Sequence, residues 1–88
     1  VSSLEKLGIS AKEYMAARRK TRSKKGEYTT LRDQFLFEEG LMFAEAMTLP
    51  EFHEVTGDAY KEYQKAKREE YNALRRMETQ YRRCGGEA

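Results

Sequence analysis

The stretch from Ala59 to Arg83 constrains this chain more than any other. Ala59, Tyr63, Ala66, Leu74, Met77 and Tyr81 fall on one stripe of a helix, with no glycine or proline between them. A helix of 25 residues spans about 37 Å, whereas a compact domain of 88 residues has a diameter of roughly 30 Å. The spacing therefore predicts a C-terminal helix, 58–83, whose last turns project beyond the core. They would present Tyr71, Arg75, Arg76, Met77, Tyr81, Arg82 and Arg83 to a protein partner or to a second copy of the chain.

Start signals place the other elements. Ser10-Ala11-Lys12-Glu13 reads as a capping box, with Ile9 and Tyr14 placed as a hydrophobic staple, and predicts a helix from Ala11 to about Lys24 that Gly26 stops. Thr30-Leu31-Arg32-Asp33 reads as a second box. It opens a helix, 30–47, that is apolar over most of its circumference and is expected to be the central one, with Gly40 marking a close helix crossing or, alternatively, a break. Thr48-Leu49-Pro50-Glu51 predicts a short helical turn, 49–56, with Pro50 in the first turn where its missing N–H costs nothing. Gly57-Asp58 then interrupts and recaps. The expected fold class is all-α: three main helices and one extra turn in a single domain, 1–84, followed by a disordered tail, 85–88.

Core material is scarce. Leu, Ile, Val and Phe number 14 of 88 residues, so Tyr and Met must carry much of the packing. Glu70 falls on the apolar stripe of the last helix, where a carboxylate needs a cation; Arg32 or the basic helix is the expected partner.

Charge is segregated although its sum is only +2. Residues 1–26 carry +6, residues 27–63 carry −7 and residues 64–88 carry +3. The densest run is Arg18-Arg19-Lys20-Thr21-Arg22-Ser23-Lys24-Lys25, six cations with two hydroxyls that can donate to phosphate oxygens. Arg18, Arg19, Lys20, Arg22, Lys24 and Lys25 are accordingly the candidate nucleic-acid-binding residues, with DNA preferred over RNA. Tyr60 and Tyr71, at the edge of the apolar stripe, are candidate stacking platforms for bases. Leu7-Gly8-Ile9-Ser10 ahead of the basic helix resembles the turn of a helix-turn-helix unit. Only six residues precede it, too few for a normal first helix.

Other classes are disfavoured. His53 stands near Glu51, Glu54 and Asp58 but has no second histidine at ligand spacing, so no metal site is expected. There is no glycine-rich phosphate loop and no serine or cysteine nucleophile beside a histidine, so the chain reads as a non-enzyme with no cofactor and no small-molecule substrate. Cys84 is the sole cysteine and can form no internal disulfide. The longest apolar run, 41–44, is too short to span a bilayer, and the basic run has no apolar face to insert into one. A cytoplasmic protein, nuclear in a eukaryote, is the resulting expectation. The leading functional reading is a non-enzymatic regulator that contacts nucleic acid through its basic helix. The second is an inhibitor or adaptor that docks on a larger enzyme, plausibly one of nucleic-acid metabolism.

Overall fold

The computed structural model describes residues 2–87, with side-chain placement through residue 85. Among these residues every regular element is an α-helix: α1 (Ser3–Glu39), the single turn α2 (Phe43–Ala46) and α3 (Pro50–Glu87). The all-α expectation holds, but the packing of three main helices does not. α1 and α3 run antiparallel as a hairpin of 59 × 17 × 16 Å with a radius of gyration of 18.5 Å, and α2 closes one end.

The difference begins at the start signals. Ser10 and Thr30 are not caps; both lie inside α1, which starts at Ser3. The cap in use is Ser2, whose hydroxyl oxygen accepts the Glu5 N–H at 3.1 Å. The helix therefore passes through Leu7-Gly8-Ile9-Ser10 without a turn, and no helix-turn-helix geometry exists there. Gly26 does not stop it either, nor does Gly57 interrupt α3. Each mid-helix glycine costs about 1 kcal/mol relative to alanine, a penalty that contacts with the facing helix can offset.

Gly40, expected inside a central helix, is where α1 ends. It adopts φ 63°, ψ 37°, a left-handed conformation in which glycine pays no Cβ penalty. The Leu41 N–H donates to the Leu36 carbonyl at 3.0 Å and the Gly40 N–H to Phe37 at 3.4 Å, the double closure of a Schellman motif. The predicted helix 30–47 is thus split between the last turns of α1 and the turn α2. Glu45 accepts the Met42 N–H at 3.1 Å to cap that turn, and Ala46 within it is fully buried. Pro50 opens α3, as its fixed φ favours. α3 continues through Gly85 to Glu87, where composition predicts a disordered tail; Ala88 lies outside the described residues.

A seven-residue repeat explains why both helices run so long. The inward positions of α1 are Ser3, Leu7, Ser10, Tyr14, Ala17, Thr21, Lys24, Tyr28, Leu31 and Phe35, alternately four and three apart. Those of α3 are Phe52, Thr56, Ala59, Tyr63, Ala66, Glu70, Ala73, Met77, Gln80 and Cys84. This is the seam of a two-stranded coiled coil, diluted by polar residues. The Thr21–Ala66 hydrogen bond and the Phe35–Phe52 ring contact at 5.4 Å fix the register. That register sets Tyr14 level with Ala73, and Tyr28 level with Ala59, so a large residue on one helix meets a small one on the other. The largest fully buried side chain lies near α2. Phe52, 1% exposed, stands edge-on to Phe35 and to Phe43, and Tyr28 lies 5.3 Å from the Tyr60 ring and 6.3 Å from that of Tyr63.

Two further expectations change with this architecture. The C-terminal turns do not project alone, because Leu7 lies beside Leu74, Met77 and Tyr81, and Ser10 lies beside Gln80 and Arg83. Glu70 is a half-buried seam residue in no ion pair among the described residues; Arg32 instead reaches Asp33 at 3.0 Å, and Lys20 reaches Glu69 at 3.3 Å.

Candidate nucleic-acid interface

Folding converts the charge pattern of the sequence into a polarity along the rod. The two basic termini meet at the open end, and the acidic middle becomes the closed tip. Residues 33–60 contain seven carboxylates and neither lysine nor arginine. A polyanion is repelled by that tip and attracted to the remainder of the hairpin.

The basic run does not form one patch, because successive residues on a helix turn by about 100°. Thr21 points into the seam, its Oγ1 lying 3.0 Å from the Ala17 carbonyl and 3.1 Å from that of Ala66, so its single proton serves main-chain oxygens and is not free for phosphate. Lys24 is a seam residue whose Nζ contacts Glu27 at 3.4 Å. Lys20 lies on the side of the hairpin that also carries Glu13, Glu27 and Glu69, and it is paired with the last of these. Arg19 and Ser23 are exposed on the outer surface of α1.

What remains is an edge. Arg18, Lys25 and Arg32 recur at seven-residue intervals on α1, about 10.5 Å per step, with Arg22 beside them. Lys67 and Tyr60 occupy the matching positions of α3, and Tyr71 is adjacent. Arg18, Arg22, Lys25 and Lys67 are in no ion pair among the described residues. Aromatic rings hold several of these cations in place. Arg18 stands 5.8 Å over Tyr14, Lys67 5.2 Å over Tyr63, and Arg32 5.8 Å from both Tyr28 and Phe43. Such contacts orient the charged group without neutralising it.

Tyr60 and Tyr71, read as stacking candidates, are exposed as that reading requires. At the tip end of the edge, Tyr28, Phe52, His53 and Tyr60 line a cleft of about 190 Å³. The His53 Nε2 lies 2.8 Å from the Met47 carbonyl. No group of three or more His, Cys, Asp or Glu side chains among the described residues is placed to hold a metal ion.

Arg32 and Lys67 are the members of the edge that sequence reading did not select. Arg32 was expected to serve Glu70, and Lys67 sits outside the basic run. The signal available was the seven-residue recurrence of Arg18, Lys25 and Arg32, which a window on local charge density does not register.

The candidate partner residues of the last helix are scattered around it. Met77 is half-buried in the seam, Arg76 approaches Glu13 at 3.7 Å, and Arg75 stands 5.8 Å over the Tyr71 ring. Tyr81 is exposed beside Leu7, and Arg82 lies 3.5 Å from the Thr79 hydroxyl. Arg75, Arg76 and Arg83 do converge, with Ser10 and Thr79, around a hollow of about 260 Å³ at the open end. No helix among the described residues is long and apolar enough to cross a membrane.

Comparison of the chain with protein-family models, with curated proteins and with solved structures gives no match in any of the three.

Proposed function

We propose that this hairpin is a non-enzymatic nucleic-acid-binding protein that grips the phosphate backbone along the edge carrying Arg18, Arg22, Lys25, Arg32 and Lys67. The observation that carries the reading is the set of four cations there without carboxylate partners, interleaved with exposed tyrosines, on a rod most of whose acidic residues lie at the tip or along the opposite side. Cations left unpaired are the ones able to release counterions from phosphates, and tyrosine faces suit stacking with any base.

Dimensions support backbone contact over base reading. The hairpin is 17 × 16 Å in cross-section, wider than the B-DNA major groove of about 12 Å, so the pair of helices does not enter it. Affinity is then electrostatic and largely independent of sequence. Single strands can additionally lay bases on Tyr60 and Tyr71, so we expect them to bind more tightly than duplex.

Fluorescence anisotropy of labelled single-stranded DNA, RNA and duplex, at about 50 and 200 mM salt, tests this directly. Micromolar or tighter binding that falls steeply with salt is the expected result. Absence of binding at the lower salt would sink the proposal. It would also favour the protein-docking alternative, for which the exposed Phe37 and Met42 at the tip are the supporting feature.

A further inference from the structure

We infer that the outer face of α1 pairs with a second copy of this chain, antiparallel, about a two-fold axis near Ser23. The inference rests on a stripe the hairpin leaves uncovered. Ile9, Ala16, Ser23, Thr30 and Phe37 recur every seven residues, all exposed and none charged, over almost the whole length of α1. In a chain with 36% charged residues such a stripe is conspicuous. Its two ends carry large apolar side chains that the hairpin leaves exposed, Ile9 at 53% and Phe37 at 88%. Each lies fourteen residues from Ser23, about 21 Å along the helix. An antiparallel partner centred on Ser23 therefore sets Ile9 of each copy against Phe37 of the other.

Charge complementarity selects this arrangement. The residues flanking the stripe on one side are Lys12, Arg19, Gly26 and Asp33, and on the other Glu13, Lys20, Glu27 and Gln34. In the antiparallel register Lys12 meets Asp33, Arg19 meets Gly26, Lys20 meets Glu27 and Glu13 meets Gln34. Every facing pair is opposite in sign or has a neutral member, and the two-fold axis makes each occur twice. A parallel, in-register pair would bring opposite flanks together and set Arg19 of each copy on Lys20 of the other, a like-charge contact that occurs twice. On a larger scale the acidic tip of one rod lies against the basic open end of the other.

The existing bonds permit this exchange. Lys20 to Glu69, Lys24 to Glu27 and Arg32 to Asp33 are all surface pairs, each worth little in water, and Lys12 is in no ion pair among the described residues. A two-fold pairing of one surface with itself is the commonest route to a closed homodimer. Gly26 gains a role in it: a Cβ there would meet nothing within the hairpin, whereas its absence leaves room for Arg19 of a second copy. The edge bearing Arg18, Lys25 and Lys67 faces away from this surface, so the inference does not depend on nucleic-acid binding.

Analytical ultracentrifugation of the full chain from micromolar to millimolar concentration, at low and high salt, tests it. The expected result is a concentration-dependent shift to twice the chain mass, weakened by salt. Ile9→Ser with Phe37→Ser should return the protein to one chain mass while circular dichroism shows its helix content retained. Lys12→Asp should weaken the dimer, and adding Asp33→Lys should restore it. In a Cys84→Ser background, Ser23→Cys should form an interchain disulfide on mild oxidation, whereas Arg68→Cys, on the far surface of α3, should not. A single-chain mass throughout the concentration range would overturn the inference. So would a dimer that persists in the Ile9/Phe37 variant and fails to cross-link through position 23.

Discussion

The Thr21 hydroxyl lies 3.1 Å from the main-chain carbonyl of Ala66 on the opposite helix. At this point the two backbones come close enough for a hydroxyl one bond beyond Cβ to reach the facing main chain, because Ala66 adds only a methyl group. The contact pins the register of the hairpin at its middle. It also removes from the basic run one of the two hydroxyls that a linear reading assigns to phosphate.

Enlarging the small side of that contact should force the helices apart. Ala66, 1% exposed, has no room for added methylenes, so Ala66→Leu should cost about 1–3 kcal/mol. Urea unfolding followed by helical circular dichroism would measure it. A change below a few tenths of a kcal/mol would mean the helices do not meet at this position.

Two phenylalanines near the tip should behave oppositely. Phe52→Ala removes the largest fully buried side chain among the described residues and should cost about 3–5 kcal/mol. Phe37→Ala, at a side chain exposed to solvent, should change stability by about 0.5 kcal/mol or less. The comparison is made at a concentration where the protein has one chain mass, so that any self-association does not enter.

Glycines should separate by backbone conformation. Gly40→Ala places a Cβ on a left-handed residue and should destabilise by about 1 kcal/mol. Gly8→Ala, in an exposed helical turn where a Cβ meets open space, should stabilise by roughly the same amount. Thermal melts of the two variants against the parent protein check the sign of each.

Within the basic run, substitutions should be unequal. Arg18→Ala and Lys25→Ala should each weaken nucleic-acid binding and lower the salt slope by about 1. Lys20→Ala and Lys24→Ala, at cations paired with Glu69 and Glu27, should have smaller effects. Titrations of the four variants at several salt concentrations would show whether the edge or the run is the binding unit.

How much of this was legible in the sequence depends on the residue. The all-α class, the helix through 59–83 and the initiating role of Pro50 follow from local patterns, and the structure keeps them. The hairpin does not follow, because α1 hides its repeat. Ser3, Ser10, Thr21 and Lys24 occupy seam positions and interrupt the apolar periodicity, so by that pattern the helix fades at Lys24 and ends at Gly26. Ser10 and Thr30 carry the side chains of helix caps, yet a capping box only offers to satisfy free N–H groups, and a continuous helix satisfies the same groups with main-chain carbonyls. The candidate site was half legible for a related reason. Charge density located Arg18, Arg22 and Lys25, but separating them from Lys20 and Lys24 requires knowing which side of α1 the partner helix covers. Lys67 becomes a neighbour only once α3 folds back.

In the proposed function one edge, and not net charge, binds nucleic acid. The most direct measurement compares two variants of equal charge by anisotropy with a labelled single strand: Arg18→Gln, Lys25→Gln, Lys67→Gln on the edge, and Lys12→Gln, Arg19→Gln, Lys65→Gln elsewhere. The first should lose most of the affinity and about three units of salt slope, with one unit for each phosphate contact removed, while the second should stay near the parent protein. Equal losses in the two variants would contradict it.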